Sequence, residues 1–267
     1  MRELVVLLSD VEKLKKKLEG LNEQYLELYE KMEDLKKEQE YFNSIYMSMF
    51  GALIFLRFKK QIEYRKLKKK LILIIKSKNI GENIDLQEIE KKLELELAEF
   101  YKNLEELRRD LKSSQEFLES PILSDKELKE IKSVFRKLAK ILHPDINRNL
   151  SENMLAIWFK VKEAYENNDL ITLIILEGLV NNDIKENIKI NSIDERIDIL
   201  SKKIVEIKES IHKEENSFPL NIKELLRDDE YISDKKEEIT SAIRKYDKHI
   251  LEFNKRISQL LEEDSYE

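Results

Sequence analysis

Three consecutive residues, His143-Pro144-Asp145, combine types that suit specific recognition. A histidine ring and a carboxylate offer directional polar contacts, and the proline between them fixes the backbone. The tripeptide reads as the tip of an exposed loop, where binding residues tend to collect. Before it runs an amphipathic stretch with Leu128, Ile131, Phe135, Leu138 and Leu142 as its expected buried stripe. Lys129, Lys132, Arg136, Lys137 and Lys140 lie mainly on the other faces. Several of these cations are three or four apart and so share a surface, a candidate docking face for an acidic partner. The chemistry on offer is contact-making, not bond-making. No nucleophile, glycine-rich phosphate loop or pair of catalytic carboxylates stands out, so no enzymatic activity is expected of the chain itself. Without cysteine, disulfides, cysteine zinc sites and thiol catalysis are excluded together. His212 and His249 sit in charged helices without companion ligands, so no metal or other cofactor is expected.

Short-range signals define the elements that hold this loop. Ser124 or Asp125 caps the basic helix, and His143-Pro144 stops it. A polar loop, Asp145-Ile146-Asn147-Arg148-Asn149, leads to Ser151, a cap for the next helix with Glu152 in its first turn. Trp158, Val161, Ala164 and Tyr165 line one side of that helix and read as core. The expectation is an antiparallel helix pair within a module at 121–180. A strongly apolar segment, Asp169–Leu179, follows the pair.

This arrangement resembles the J domain of DnaJ-type co-chaperones. The residues that carry the resemblance are Phe135-Arg136-Lys137-Leu138-Ala139, His143-Pro144-Asp145, Trp158, Val161 and Ala164-Tyr165. They cover about Asp125–Leu176. The resemblance implies docking on a DnaK-type chaperone ATPase in its ATP state, with the basic helix steering onto an acidic surface. It makes Lys132, Arg136 and Lys137 the docking cations, with Asn147 at a position where many family members keep an asparagine. It makes His143, Pro144 and Asp145 the trigger of ATP hydrolysis, catalysed by the partner. Three features depart from the family pattern. No Tyr-x-x-Leu-Gly signature precedes Asp125, leaving the helix end at Leu107–Leu118 as the candidate replacement. Ile146 stands where a basic residue is usual, and the usual short final helix is not recognisable.

The rest of the chain reads as long helices. Of 267 residues, 39% are charged and 41% hydrophobic, with only 4 glycines and 3 prolines, too few for the turns of a β-rich fold. Leu7, Val11, Leu14, Leu18, Leu21, Tyr25, Leu28, Met32 and Leu35 alternate steps of four and three, a heptad seam. Gly81 suits the end of this first helical stretch, and Asp85 with Glu88 suits the start of a second. That second helix carries its own seam, from Leu86 to Leu111, and stops before Ser120-Pro121. Two further seams, Ile193–Ile211 and Ile239–Leu260, flank a turn at Asn216-Ser217-Phe218-Pro219. The expected fold is all-α, with long coiled-coil helices flanking a small J-domain-like helical hairpin. Its parts are an N-terminal coiled coil at 1–119, the J-like module at 121–180 and an antiparallel coiled-coil hairpin at 188–264. The seams fit an intramolecular hairpin or a homo-oligomer equally.

A net charge of −6 gives no reason to expect a nucleic-acid partner. Ile45–Phe58, the most apolar stretch, is shorter than the ~20 residues a membrane span needs, and membrane contact is not expected. Residues 1–20 lack a signal-peptide layout, and the absence of cysteine fits a reducing cytoplasm. The coiled coils would select a client or a scaffold protein. The alternative is a coiled-coil scaffold or assembly protein whose J-like module stimulates nothing.

Overall fold

The computed structural model describes residues 2–120, 123–183 and 193–264, with side chains at 11–120, 123–180 and 193–262. Leu7 of the first seam, Pro121 and residues 188–192 of the expected C-terminal hairpin fall outside these side-chain ranges. The chain is all-α, and no strand occurs among the described residues. Seven α-helices follow one another: α1 (Arg2–Ile80), α2 (Leu86–Glu119), α3 (Asp125–Leu142), α4 (Glu152–Glu166), α5 (Leu170–Asp183), α6 (Ile193–Glu215) and α7 (Asp229–Asp264).

The helix ends follow from local chemistry. Gly81 adopts φ +69° just past α1, and the Glu82 amide donates to the Ser77 carbonyl, closing the last turn as a glycine C-cap does. Asp85 accepts from the amides of Gln87 and Glu88 at the start of α2. Ser124 forms a reciprocal capping box with Glu127 at the start of α3. Ser151 accepts from the Met154 amide to start α4.

Contacts divide the chain into two compact units, 1–40 with 121–221 and 41–120 with 222–267. In the first, α3, α4, α5 and α6 share one hydrophobic core with the early part of α1. The core includes Leu18, Tyr25 and Leu26 of α1, Phe135, Leu138 and Leu142 of α3, and Trp158, Val161 and Tyr165 of α4. Leu173 and Leu176 of α5 and Ile197, Leu200 and Ile204 of α6 complete it. Helix α6 runs parallel to α1: Leu18 and Asn22 meet Arg196 and Leu200, while Lys31 reaches Glu215 at 2.7 Å.

In the second unit, α2 runs antiparallel to the later part of α1. Gly51 approaches the Leu111 side chain, the Arg65 guanidinium stacks on Phe100, and Lys66 and Lys70 both reach Glu90. Helix α7 runs parallel to the same stretch, with Lys60 paired to Asp247 and Ile257 in a core with Leu71, Ile74, Ile89 and Leu93. Four lysines of this stretch of α1, Lys60, Lys66, Lys69 and Lys70, are matched to acids. Within Ile45–Phe58, Met47 and Phe50 are buried, and no described helix is long and apolar enough to cross a membrane.

This partition differs from the expected division in two ways. Residues 1–119 are divided between both units, and α6 and α7, both within the hairpin expected over 188–264, fall in different units.

Candidate functional site

The basic helix α3 and its successor α4 pack as expected, with the His143-Pro144-Asp145 loop at their junction. Ile131, Phe135, Leu138 and Leu142 are buried, joined by Val134 and Ala139, which the stripe omitted; Leu128, expected inside, is exposed because it lies in the first turn. On α4 the four expected core residues, Trp158, Val161, Ala164 and Tyr165, are all buried. Phe135 stacks on Tyr165 with ring centres 3.8 Å apart.

The loop is tightly turned. The His143 amide closes the last turn of α3 on Ala139, and the amides of Ile146 and Asn147 both donate to the His143 carbonyl. The Asp145 amide donates to His143 Nδ1 at 3.2 Å, which leaves the neutral ring its proton on Nε2. Asn147, expected as a docking residue, donates its side-chain amide to the carbonyls of Lys140 and Ile141 at 2.9 and 2.5 Å. It satisfies α3's free C-terminal acceptors. Ile146 is buried, and its carbonyl accepts from Arg196 of α6.

The loop is not the bare tip expected from its residues. Pro144 is exposed and Asp145 half-buried, but His143 is only 3% exposed. Its ring lies edge-on to Tyr29 at 4.5 Å, Tyr25 at 5.2 Å and Trp158 at 5.0 Å. The Tyr25 hydroxyl donates to Asp145 at 2.6 Å. Burial in this aromatic surround pushes the His143 pKa down to about 4, against the pull of the Asp145 carboxylate, with Lys162 and Lys203 adding to the fall. The histidine is therefore neutral at pH 7. The Tyr25, Tyr29 and Tyr165 hydroxyls are all pushed well above the ordinary phenol range, first by burial and then by neighbouring carboxylates.

The basic face of α3 is ion-paired, while the side chains of Arg136, Lys137 and Lys140 stay more than half exposed. Along α1, Glu23, Glu30 and Asp34 face Lys140, Arg136 and Lys132 in antiparallel order. Arg136 donates through two nitrogens to one oxygen of Glu30, which is largely buried. Asp34 accepts from Lys132 at 2.5 Å and from the Tyr165 hydroxyl at 2.7 Å, tying α3 and α4 to α1. Lys37 sits 3.6 Å above the Tyr165 ring and donates to Asn168; burial lowers its pKa to about 8. Lys137 lies apart from this row and pairs with Glu177 of α5. The three expected docking cations thus occupy two edges of α3, not one surface.

The residues missed from sequence are those of α1: Tyr25, Tyr29, Glu30 and Asp34. A signal was present. Glu23, Glu27, Glu30 and Asp34 recur at helical spacing beside the first heptad seam, opposite in sign to a lysine/arginine row on α3. The expected substitute for the absent signature helix, Leu107–Leu118, falls in the other unit; within this unit the early part of α1 shares the core with α3.

Among the described residues, no group of three or more histidine, aspartate or glutamate side chains is arranged to hold a metal ion. Compared with family models, with curated proteins and with solved structures, the chain finds no match in any of the three.

Proposed function

We propose that the chain is a J-domain-type co-chaperone that docks on a DnaK-type chaperone ATPase and stimulates its ATP hydrolysis through His143-Pro144-Asp145. The carrying observation is the junction of α3 and α4: a basic helix and an antiparallel partner, each with the buried residues the resemblance assigns, meet at this tripeptide. Lys132, Arg136 and Lys137 supply the electrostatic steering, and Pro144 with Asp145 supplies the contact. The remaining helices choose the client or the location. The test is single-turnover ATP hydrolysis by such a chaperone with the wild-type chain, His143→Gln and Pro144→Ala. Stimulation lost in both variants, with helical content intact, supports the proposal. Pro144→Ala is included because Pro144 is exposed and its replacement leaves the core untouched.

A second reading has its own observation. His143 is packed like a core residue, and the cations of α3 are matched to α1 and α5. On that reading the module is a packing unit of a helical scaffold. Reversing charge at Arg136 and Lys137 separates the two: a co-chaperone loses chaperone binding, whereas a scaffold has no such binding to lose.

A further inference from the structure

The acidic edge of α1 engages part of the surface that co-chaperone activity needs, and it does so with complementary chemistry. Glu23, Glu30 and Asp34 neutralise Lys140, Arg136 and Lys132, two of which are expected docking cations. Seven residues after Glu23, Glu30 returns to the same side of α1, and Asp34 follows one turn on. On the same stretch of α1, Tyr25 holds the Asp145 carboxylate and Tyr29 closes over the His143 ring. An acidic chaperone surface would compete with this stretch of α1 for Lys132 and Arg136.

We propose that residues 23–34 of α1 form an intramolecular lock that holds the J-like module closed, and that a DnaK-type chaperone must displace this acidic segment to engage α3 and the loop. This rests on the co-chaperone reading. The ion pairs of the lock are partly exposed and individually contribute little to stability, whereas Tyr25 and Leu26, buried in the core of this unit, hold the segment down. The buried contacts favour the closed state, and the charge row sets how strongly α3 itself is held. Activity is then limited by the fraction of molecules that are open, since apparent affinity falls in proportion to that fraction.

The experiment compares the full-length wild-type chain with two opened variants. Glu23→Gln with Glu30→Gln weakens the charge row but spares Asp34, whose loss would also strip the Tyr165 hydroxyl of its acceptor. Tyr25→Phe releases Asp145 and leaves the charges in place. Each is measured for binding to an ATP-loaded DnaK-type chaperone and for single-turnover stimulation, with Pro144→Ala added in each opened background. Circular dichroism and Trp158 emission establish that the variants are folded. The lock predicts that both opened variants bind more tightly than wild type, by about tenfold for the double glutamate change, and that Pro144→Ala abolishes the gain. Equal stimulation by wild type and opened variants, lost with Pro144→Ala, overturns the lock and leaves the co-chaperone reading standing. Weaker stimulation by the opened variants overturns it too, since α1 would then support docking. No stimulation by any folded variant overturns both.

Discussion

Burial of His143 makes the stability of the first unit depend on acid in a way one substitution removes. The unfolded chain binds a proton on this ring near pH 6.5, whereas the folded chain resists until about pH 4. Below pH 6.5 the unfolded state therefore holds more protons, so stability falls as pH falls and is fully present only above that value. The slope approaches ~1.4 kcal/mol per pH unit between the two pKa values. Going from pH 7 to pH 5 should thus cost about 2 kcal/mol through His143 alone. Nearly the whole ring is out of water, at 3% exposure, so solvent screening takes little away from this figure. The assay is urea unfolding followed by Trp158, the single tryptophan, whose ring centre lies 5.0 Å from that of His143 and which reports this unit alone. His143→Gln lowers stability at neutral pH, and the decisive quantity is the difference in slope between wild type and variant. His212 and His249 are common to both proteins and cancel. If the two proteins lose stability in parallel from pH 7 to pH 5, His143 is not held neutral by the aromatic surround, and the closed geometry of the loop is wrong with it.

Other expectations probe the elements that hold the site. Ser124→Ala removes the hydroxyl half of the capping box, leaving the residue-124 amide to donate to Glu127, and should cost about 1 kcal/mol in urea unfolding; an unchanged midpoint would mean that the hydroxyl does not hold the start of α3. Leu138→Ala empties a fully buried position and should cost 2–5 kcal/mol, roughly the range for such truncations, read by Trp158 emission; a cost below ~1 kcal/mol would contradict the packing of α3. Gly81→Ala forces a side chain into a left-handed conformation at φ +69° and should destabilise the second unit by about 1 kcal/mol, with Gly81→Asn milder; equal stability of the alanine variant would contradict the cap. Lys37, half-buried above Tyr165, should titrate near 8 when its isotopically labelled methylated amine is followed by NMR; a midpoint shared with the exposed lysines would place it in water.

The parts of the site legible in sequence are those set by neighbours a few residues apart. Capping by Ser124 and Ser151, the stop at His143-Pro144 and the buried face of α4 all depend on contacts within one helical turn or two, where period and residue type suffice. The cover on the loop depends on two rows of opposite charge about a hundred residues apart. Nothing local sets their register, and a heptad seam states that a helix has a partner without naming it. Tyr25 and Met32 were read as members of one seam, yet Tyr25 spends its hydroxyl on Asp145, a polar contact that periodicity cannot reveal. The same limit applies to α6 and α7: two seams joined by a turn fit a hairpin, and the seams themselves do not say to which unit each helix belongs.

The loop's exposure was misjudged for a related reason. Proline, aspartate and asparagine are turn formers, and turn formers are usually wet. Here the turn is made as expected, with Asn147 closing the carbonyls of α3, but the backbone that makes it also directs the His143 ring inward. Burial then needs a surround that tolerates a neutral imidazole, and Tyr25, Tyr29 and Trp158 supply ring faces and edges in place of water. A buried ring and an exposed proline within one tripeptide are consistent with a single cause: α1 lies over one side of the loop only. Removing α1's hold on Asp145 should therefore expose the histidine without unmaking the turn, since the turn's hydrogen bonds all lie within residues 139–147. A loop that lost its turn as α1 was loosened would instead place the two in one cooperative unit, in which the tripeptide could serve packing but not recognition.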